Sequence, residues 1–169
     1  MSVKYTPVQW NLTKWVYDAA MLTGLVGFIL VYLSVMPEDL GHERGADTAI
    51  RNARAFGACA LVMLSVILMI GPLSRLNPVF LPLLYNRRHF GVMTAAVALS
   101  HAYFVLGWYF AFSQRGDRWE TVLFSNTSYS QILGFPFEAL GIFALICLLI
   151  LAATSHDFWL KFLTPPVWK

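Results

Sequence analysis

Charge is what this chain has least of. Its 169 residues include 12 Lys and Arg and 9 Asp and Glu, 12% in all, against roughly 25% in soluble domains. So few charges cannot clothe a water-soluble surface, and the net +3 comes without a basic run, so it makes no case for nucleic acid. Cysteine is also rare. Cys59 and Cys147 each fall inside an apolar run, which excludes a disulfide framework and suits packing residues. There is no Gly-rich phosphate loop, no His-Glu-x-x-His pair and no Cys-x-x-Cys. Any flavin, nicotinamide or iron–sulfur chemistry therefore has to come from another protein.

What remains is apolar. The composition is 58% hydrophobic and 15% aromatic, and charges sit between long apolar runs. Four runs of about twenty residues match a hydrocarbon core of about 30 Å at about 1.5 Å per residue: Trp15 to Met36 ended by Pro37, Arg51 to Gly71 ended by Pro72, Asn86 to Phe112, and Ile132 to Thr154. Pro78 and Pro82 make Asn77 to Tyr85 an apolar loop or interfacial segment, not a fifth span. Glu38 and Asp39 follow the first run where a signal peptide would have a small-residue cleavage site, so it is a retained helix. The expected fold is all-α: one transmembrane domain over residues 1–169, an integral membrane bundle of four helices.

Orientation follows from Lys and Arg. One side carries Lys4, Lys14, Arg75, Arg87, Arg88, Lys161 and Lys169; the other carries Arg44, Arg51, Arg54, Arg115 and Arg118. Seven against five places both termini in the cytoplasm.

His101 stands slightly past the middle of the third run. An ionisable, metal-ligating side chain at that depth is costly unless something binds or buries it, and imidazole is the commonest protein ligand of haem iron. Thr94, Ala98 and Val105 share its helical face, flanked by Val97 and Phe104. The small side chains leave room for a flat macrocycle or for a neighbouring helix. Two alternatives stay open from the residues alone: a haem ligand, or a buried histidine hydrogen-bonded to an adjacent helix.

The surrounding sequence carries a resemblance. Ile70-Gly71-Pro72-Leu73-Ser74-Arg75-Leu76 precedes Asn86-Arg87-Arg88-His89-Phe90-Gly91-Val92, and His101 follows twelve residues after His89. Leu151-Ala152-Ala153-Thr154-Ser155 and then Pro166-Val167-Trp168-Lys169 come after the fourth run. In order and spacing this series resembles the ferric reductase-like transmembrane family, which includes the haem-binding membrane subunit of bacterial methionine sulfoxide reductase systems, the ferric reductases and the NADPH oxidases. It spans about Gly71 to Lys169; the first run shows no match. The resemblance implies that His101 is an axial ligand to haem b and allows Arg87 and Arg88 to neutralise haem propionates. It also implies opposing ligands from a later helix opening on a Trp-x-x-Leu-His-like pattern. The sequence stops at Trp168-Lys169, where that helix is expected, so the second ligand is expected from further C-terminal helices or another membrane subunit.

The other histidines are placed elsewhere: His42 on the outer loop, and His89 and His156 at the cytoplasmic interface. There His89 is expected to be solvated or to face lipid phosphates. Glu138 in the first turns of the fourth span suits the helix dipole, and Asp18 is positioned to pair with Lys14 at i−4. Trp108, Tyr109, Trp119 and Tyr129 read as an interfacial aromatic belt. The expected function is a b-type haem electron-transfer subunit in the bacterial inner membrane, at most the membrane component of an oxidoreductase. Its partners are the lipid bilayer and a soluble flavin or iron–sulfur redox protein, with no nucleic acid. The alternative is a non-catalytic accessory or scaffold subunit that packs against a larger membrane complex without haem. A transporter is disfavoured because the runs lack paired charges and broken helices. A protease-accessible tag in the loop from Glu38 to Asp47 is expected to report from the external, non-cytoplasmic side of the membrane; cleavage only from the cytoplasmic side would overturn this topology.

Overall fold

The computed structural model describes residues 12–41, 44–112, 122 and 137–155. Its elements are helices, α1 (Leu12–Val35), α2 (Arg44–Leu76), a 3-10 turn (Pro78–Phe80), α3 (Leu81–Tyr85), α4 (Arg87–Phe112) and α5 (Phe137–Thr154). No strand occurs among the described residues. Lys14–Val35, Arg44–Leu76 and Arg87–Ala111 are long and apolar enough to cross a membrane, while Glu138–Thr154 is a shorter apolar helix. Residues 132–136 of the expected fourth span lie outside the described residues.

Two expected boundaries move. The second span was expected to run from Arg51 to Gly71 and to be ended by Pro72, yet α2 begins at Arg44 and passes through Pro72 to Leu76. Thirty-three residues at about 1.5 Å each give about 50 Å, well beyond the hydrocarbon thickness. Proline removes one ladder donor without ending the helix, a loss that membrane helices absorb through neighbouring groups. Just past it, the Ser74 hydroxyl donates to the Gly71 carbonyl at 2.8 Å, and the Asn77 N–H reaches the Leu73 carbonyl at 3.0 Å. At the other end Asp47 is buried and accepts the Leu40 N–H at 3.0 Å. Its negative charge lies in the helix's first turn, where the macrodipole favours it.

The same charges fasten α1. Arg51 Nη2 donates to the Leu33 carbonyl at 2.8 Å, occupying one of the acceptors that a helix C-terminus leaves open. Between the helices Gly41 adopts φ +86°, and its N–H donates to Asp39 Oδ1 at 2.8 Å; a side chain at that φ would be strained. Near its start α1 is tied to α4, with His89 Nδ1 3.3 Å from Asp18 Oδ1. His89 is therefore not simply solvated or turned to lipid, as expected of it, because a carboxylate from another helix meets it.

The segment between α2 and α4 is helical, not a loop. Asn77 opens it by accepting the Val79 N–H at 2.9 Å, Pro78 and Pro82 occupy early helical positions where a missing N–H costs nothing, and Asn86 makes the turn into α4.

α2 and α4 share the most extensive interface, and most of the buried residues lie on these two helices: Ala55, Cys59, Met63, Ile67 and Ile70 on α2, and Thr94, Ala95 and Val97 on α4. Small groups at several of these positions let the backbones approach. Leu25, Phe28 and Ile29 of α1 pack against Cys59, Met63 and Val97, while α5 contacts α4. Outward positions such as Leu22, Leu30, Leu68, Phe143 and Ile150 are exposed, as lipid contact requires. Ala55→Leu, at a fully buried position, is expected to destabilise the protein by about 1–3 kcal/mol through overpacking, read as a lower unfolding temperature in detergent. Leu30→Val, at an exposed position, should leave that temperature unchanged.

Candidate functional site

α4 presents His101 on the face that also carries Thr94, Ala98 and Val105, and all four line one cavity. The helical spacing anticipated that arrangement. The neighbouring helix supplies what the sequence did not reveal. His101 Nδ1 lies 2.8 Å from the backbone oxygen of Ala53 on α2. A carbonyl only accepts, so Nδ1 carries the proton; in the neutral imidazole the lone pair is then on Nε2. The carbonyl's helical partner is the N–H of residue 57, and its two lone pairs can serve both donors.

Gly57 makes the approach possible. A Cβ there would stand 2.8 Å from His101 Nδ1 and 2.9 Å from Cε1, so even alanine would displace the ring. The local run Ala53-Arg54-Ala55-Phe56-Gly57-Ala58-Cys59-Ala60 is dense in small residues, and that density was the available signal. Phe56 and Phe104 pack beside the contact with ring centroids 5.3 Å apart.

The cavity measures about 870 Å³ and lies between α2, α4 and α5. Leu61 and Leu64 of α2, Val105 and Leu106 of α4, and Leu145 and Leu148 of α5 give it mainly apolar walls. The Thr94 hydroxyl is satisfied by the Phe90 carbonyl at 2.8 Å, so the residue acts as a small filler. The remaining polar groups are His101, Arg54, Trp108, Tyr109 and Glu138. The Tyr109 hydroxyl donates to Glu138 Oε1 at 3.2 Å, joining α4 to α5. Trp108 and Tyr109, expected as part of an interfacial belt, instead line the cavity; Trp119 and Tyr129 lie outside the described residues. Arg54, which the sequence offered only as a topology charge, lines the cavity beside the carbonyl that holds His101.

Arg87 and Arg88 are not brought to His101. They are exposed in the first turn of α4, fourteen and thirteen residues before His101, which is about 20 Å along the axis. Neither lines the cavity. His42 and His156 lie outside the described residues. Among the described residues no group of three or more His, Cys, Asp or Glu side chains could hold a metal ion, so His101 stands in the cavity as a single imidazole.

A family model, the ferric reductase like transmembrane component, matches residues 55–169. No curated protein matches the chain, and no solved structure does. The matched region begins in the middle of α2 and takes in α4 and α5, the helices that wall the cavity.

Gly57→Ala is expected to break the His101–Ala53 hydrogen bond. Nitrogen NMR of ¹⁵N-histidine-labelled protein checks this: the His101 Nδ1–H signature of the parent should be lost or moved in the variant. An unchanged signature would mean that the ring does not rest against Gly57.

Proposed function

From the membership of this chain in the ferric reductase-like transmembrane family, we propose that it is a membrane electron-transfer subunit that holds a b-type haem through His101 Nε2. The observation that carries this reading is the Nδ1 hydrogen bond to the Ala53 carbonyl. Metal-ligating histidines almost always donate their other ring N–H to a carbonyl, carboxylate or water, which fixes the ring and raises the basicity of the ligating nitrogen. The bond expected of a merely buried histidine is thus also the one that a ligand needs, and the large cavity beside it favours the ligand.

The residues fit the group. A volume of about 870 Å³ lies within the roughly 300–1,000 Å³ typical of ligand sites, and its walls are mostly apolar. Arg54, exposed at the edge of the cavity, supplies a cation that can make charge-assisted hydrogen bonds to the anionic edge of a macrocycle. Haem bound there supplies reversible one-electron chemistry. The chain's part is to ligate, orient and keep water away: Gly57 gives the imidazole its place, Ala53 fixes its tautomer, and the leucines of α2 and α5 hold the dielectric low. A second ligand to the iron would come from outside the described residues.

In this reading α5 belongs to a fourth crossing, with both termini in the cytoplasm of a bacterial inner membrane. A soluble flavin or iron–sulfur protein exchanges electrons with the subunit. Arg87 and Arg88, at the far end of α4, attract acidic groups at that surface, whether propionates of a cofactor bound there or lipid phosphates.

The test is a dithionite-reduced minus oxidised absorption spectrum of the protein with its completing partner, compared with His101→Ala. The expected result is a low-spin b-type spectrum that the variant loses while still inserting in the membrane, since the substitution makes the span more apolar. A spectrum that survives His101→Ala rejects the ligand assignment, and absence of haem in the parent leaves an accessory helical subunit.

A further inference from the structure

Glu138 is a carboxylate within a predominantly apolar cavity, and haem ligation does not use it. Placement at the start of α5 explains why a helix tolerates an acid there, but not why its side chain lines the same cavity as His101 or why Tyr109 of another helix donates to it at 3.2 Å. Ionisable groups at membrane depth that face a cavity characteristically handle protons or ions. The titratable and charged groups that share the cavity with Glu138 are Tyr109 and His101 from α4 and Arg54 from α2; α5 adds none among the described residues. His101 is committed to Ala53, and Arg54 keeps its charge at any relevant pH.

We infer that Glu138, held by Tyr109, is the proton-accepting group of this cavity: its proton occupancy rises when the site gains an electron. This rests on the haem reading above. A one-electron reductant delivers the electron, and a proton taken from solvent adds to a carboxylate oxygen of Glu138 in a fraction of the molecules, offsetting part of the added negative charge. Oxidation reverses both transfers.

The coupling can be sized. Tyr109 lies eight residues beyond His101, about 12 Å along the helix. For a separation of that order and an effective dielectric of about 20, one added negative charge shifts the protonation equilibrium of a carboxylate about tenfold. Linkage makes the effect reciprocal, so a bound proton raises the affinity for the electron about tenfold, or about 59 mV for a one-electron couple. The midpoint potential therefore falls with rising pH, by about 59 mV in total between its acid and alkaline limits. Glu138→Gln, which imitates the protonated carboxyl, fixes the potential near the acid limit.

The experiment is an equilibrium redox titration of the haem-loaded complex across pH, for the parent, Glu138→Gln and Tyr109→Phe. It is paired with reduced-minus-oxidised infrared spectra of the parent in water and deuterium oxide. Support is a pH-dependent parent, a flat Glu138→Gln that retains its haem spectrum, and a protonated-carboxyl band that appears on reduction and shifts in deuterium oxide. Tyr109→Phe removes the hydrogen bond to the carboxylate, so its pH dependence differs from the parent's; an identical dependence removes Tyr109 from the assignment. A parent potential that is flat with pH, or a parent without the infrared band, overturns the inference while the haem reading stands. Should Glu138→Gln lose haem, the infrared spectra of the parent still decide. A parent with no haem dependent on His101 overturns both.

Discussion

An imidazole cannot sit inside a bilayer with both nitrogens unsatisfied, and most of the architecture around His101 follows from that constraint. Water is absent at that depth, so the ring must find its partner on a neighbouring helix, and the partner is a backbone carbonyl. Reaching a backbone requires two helices to come closer than ordinary side chains permit. Gly57 provides the space, and buried small groups such as Ala55, Thr94 and Ala95 keep α2 and α4 close enough along their contact. The hydrogen bond then selects the tautomer with its proton on Nδ1. A histidine without Gly57 opposite would have to turn to another rotamer and lose the carbonyl.

The cavity follows from the same pairing. Close contact between α2 and α4 leaves α5 to complete the enclosure, and the groups facing inward from α5 include Gly141, Ala144, Leu145 and Leu148, a mixture of small and branched residues. Polar groups are few and come from three helices: Arg54 from α2, His101, Trp108 and Tyr109 from α4, and Glu138 from α5. An apolar space with a few convergent polar groups is the usual form of a small-molecule site. Here its dielectric setting also makes every charge inside it count for more than it would in water.

Some of this was legible in the sequence and some was not. α4 was legible nearly to the residue, Asn86 to Phe112 expected and Arg87–Phe112 found, because its apolar run is unbroken and a Pro-rich segment precedes it. α2 was misjudged at both ends for one reason: polar residues and proline were taken as stops, although here each has a partner or a tolerated vacancy in the ladder. Asp47 accepts the Leu40 N–H, Arg51 reaches the Leu33 carbonyl, and the helix runs through Pro72. His101 was conspicuous as a polar residue in an apolar run. Its partner was not, since a backbone carbonyl leaves no mark on composition. Arg54 was hidden differently: counted with Arg51 as a charge of one membrane face, it borders the cavity while staying exposed, whereas Arg51, three residues earlier, turns to α1. A charge count cannot separate two arginines that face different neighbours.

α1 shows what the family relationship does not require. The family match begins at residue 55 and excludes it, and none of its residues lines the cavity. Its long outer face, with Leu22, Val26, Leu30 and Val31, is exposed. Yet it is fixed by polar contacts near both ends, Asp18 to His89 of α4 at 3.3 Å and the Leu33 carbonyl to Arg51 of α2 at 2.8 Å, with Leu25, Phe28 and Ile29 packed between them. In a membrane, apolar contact alone discriminates poorly between a helix and lipid tails, because both present the same kind of surface. Two polar contacts to two different helices set register and tilt where apolar packing does not. They hold α1 against Cys59, Met63 and Val97, a cluster of α2–α4 residues that does not line the cavity. α1 is thus best understood as a brace: it adds nothing to the chemistry of the cavity, and it constrains the two helices whose close approach gives His101 its hydrogen bond.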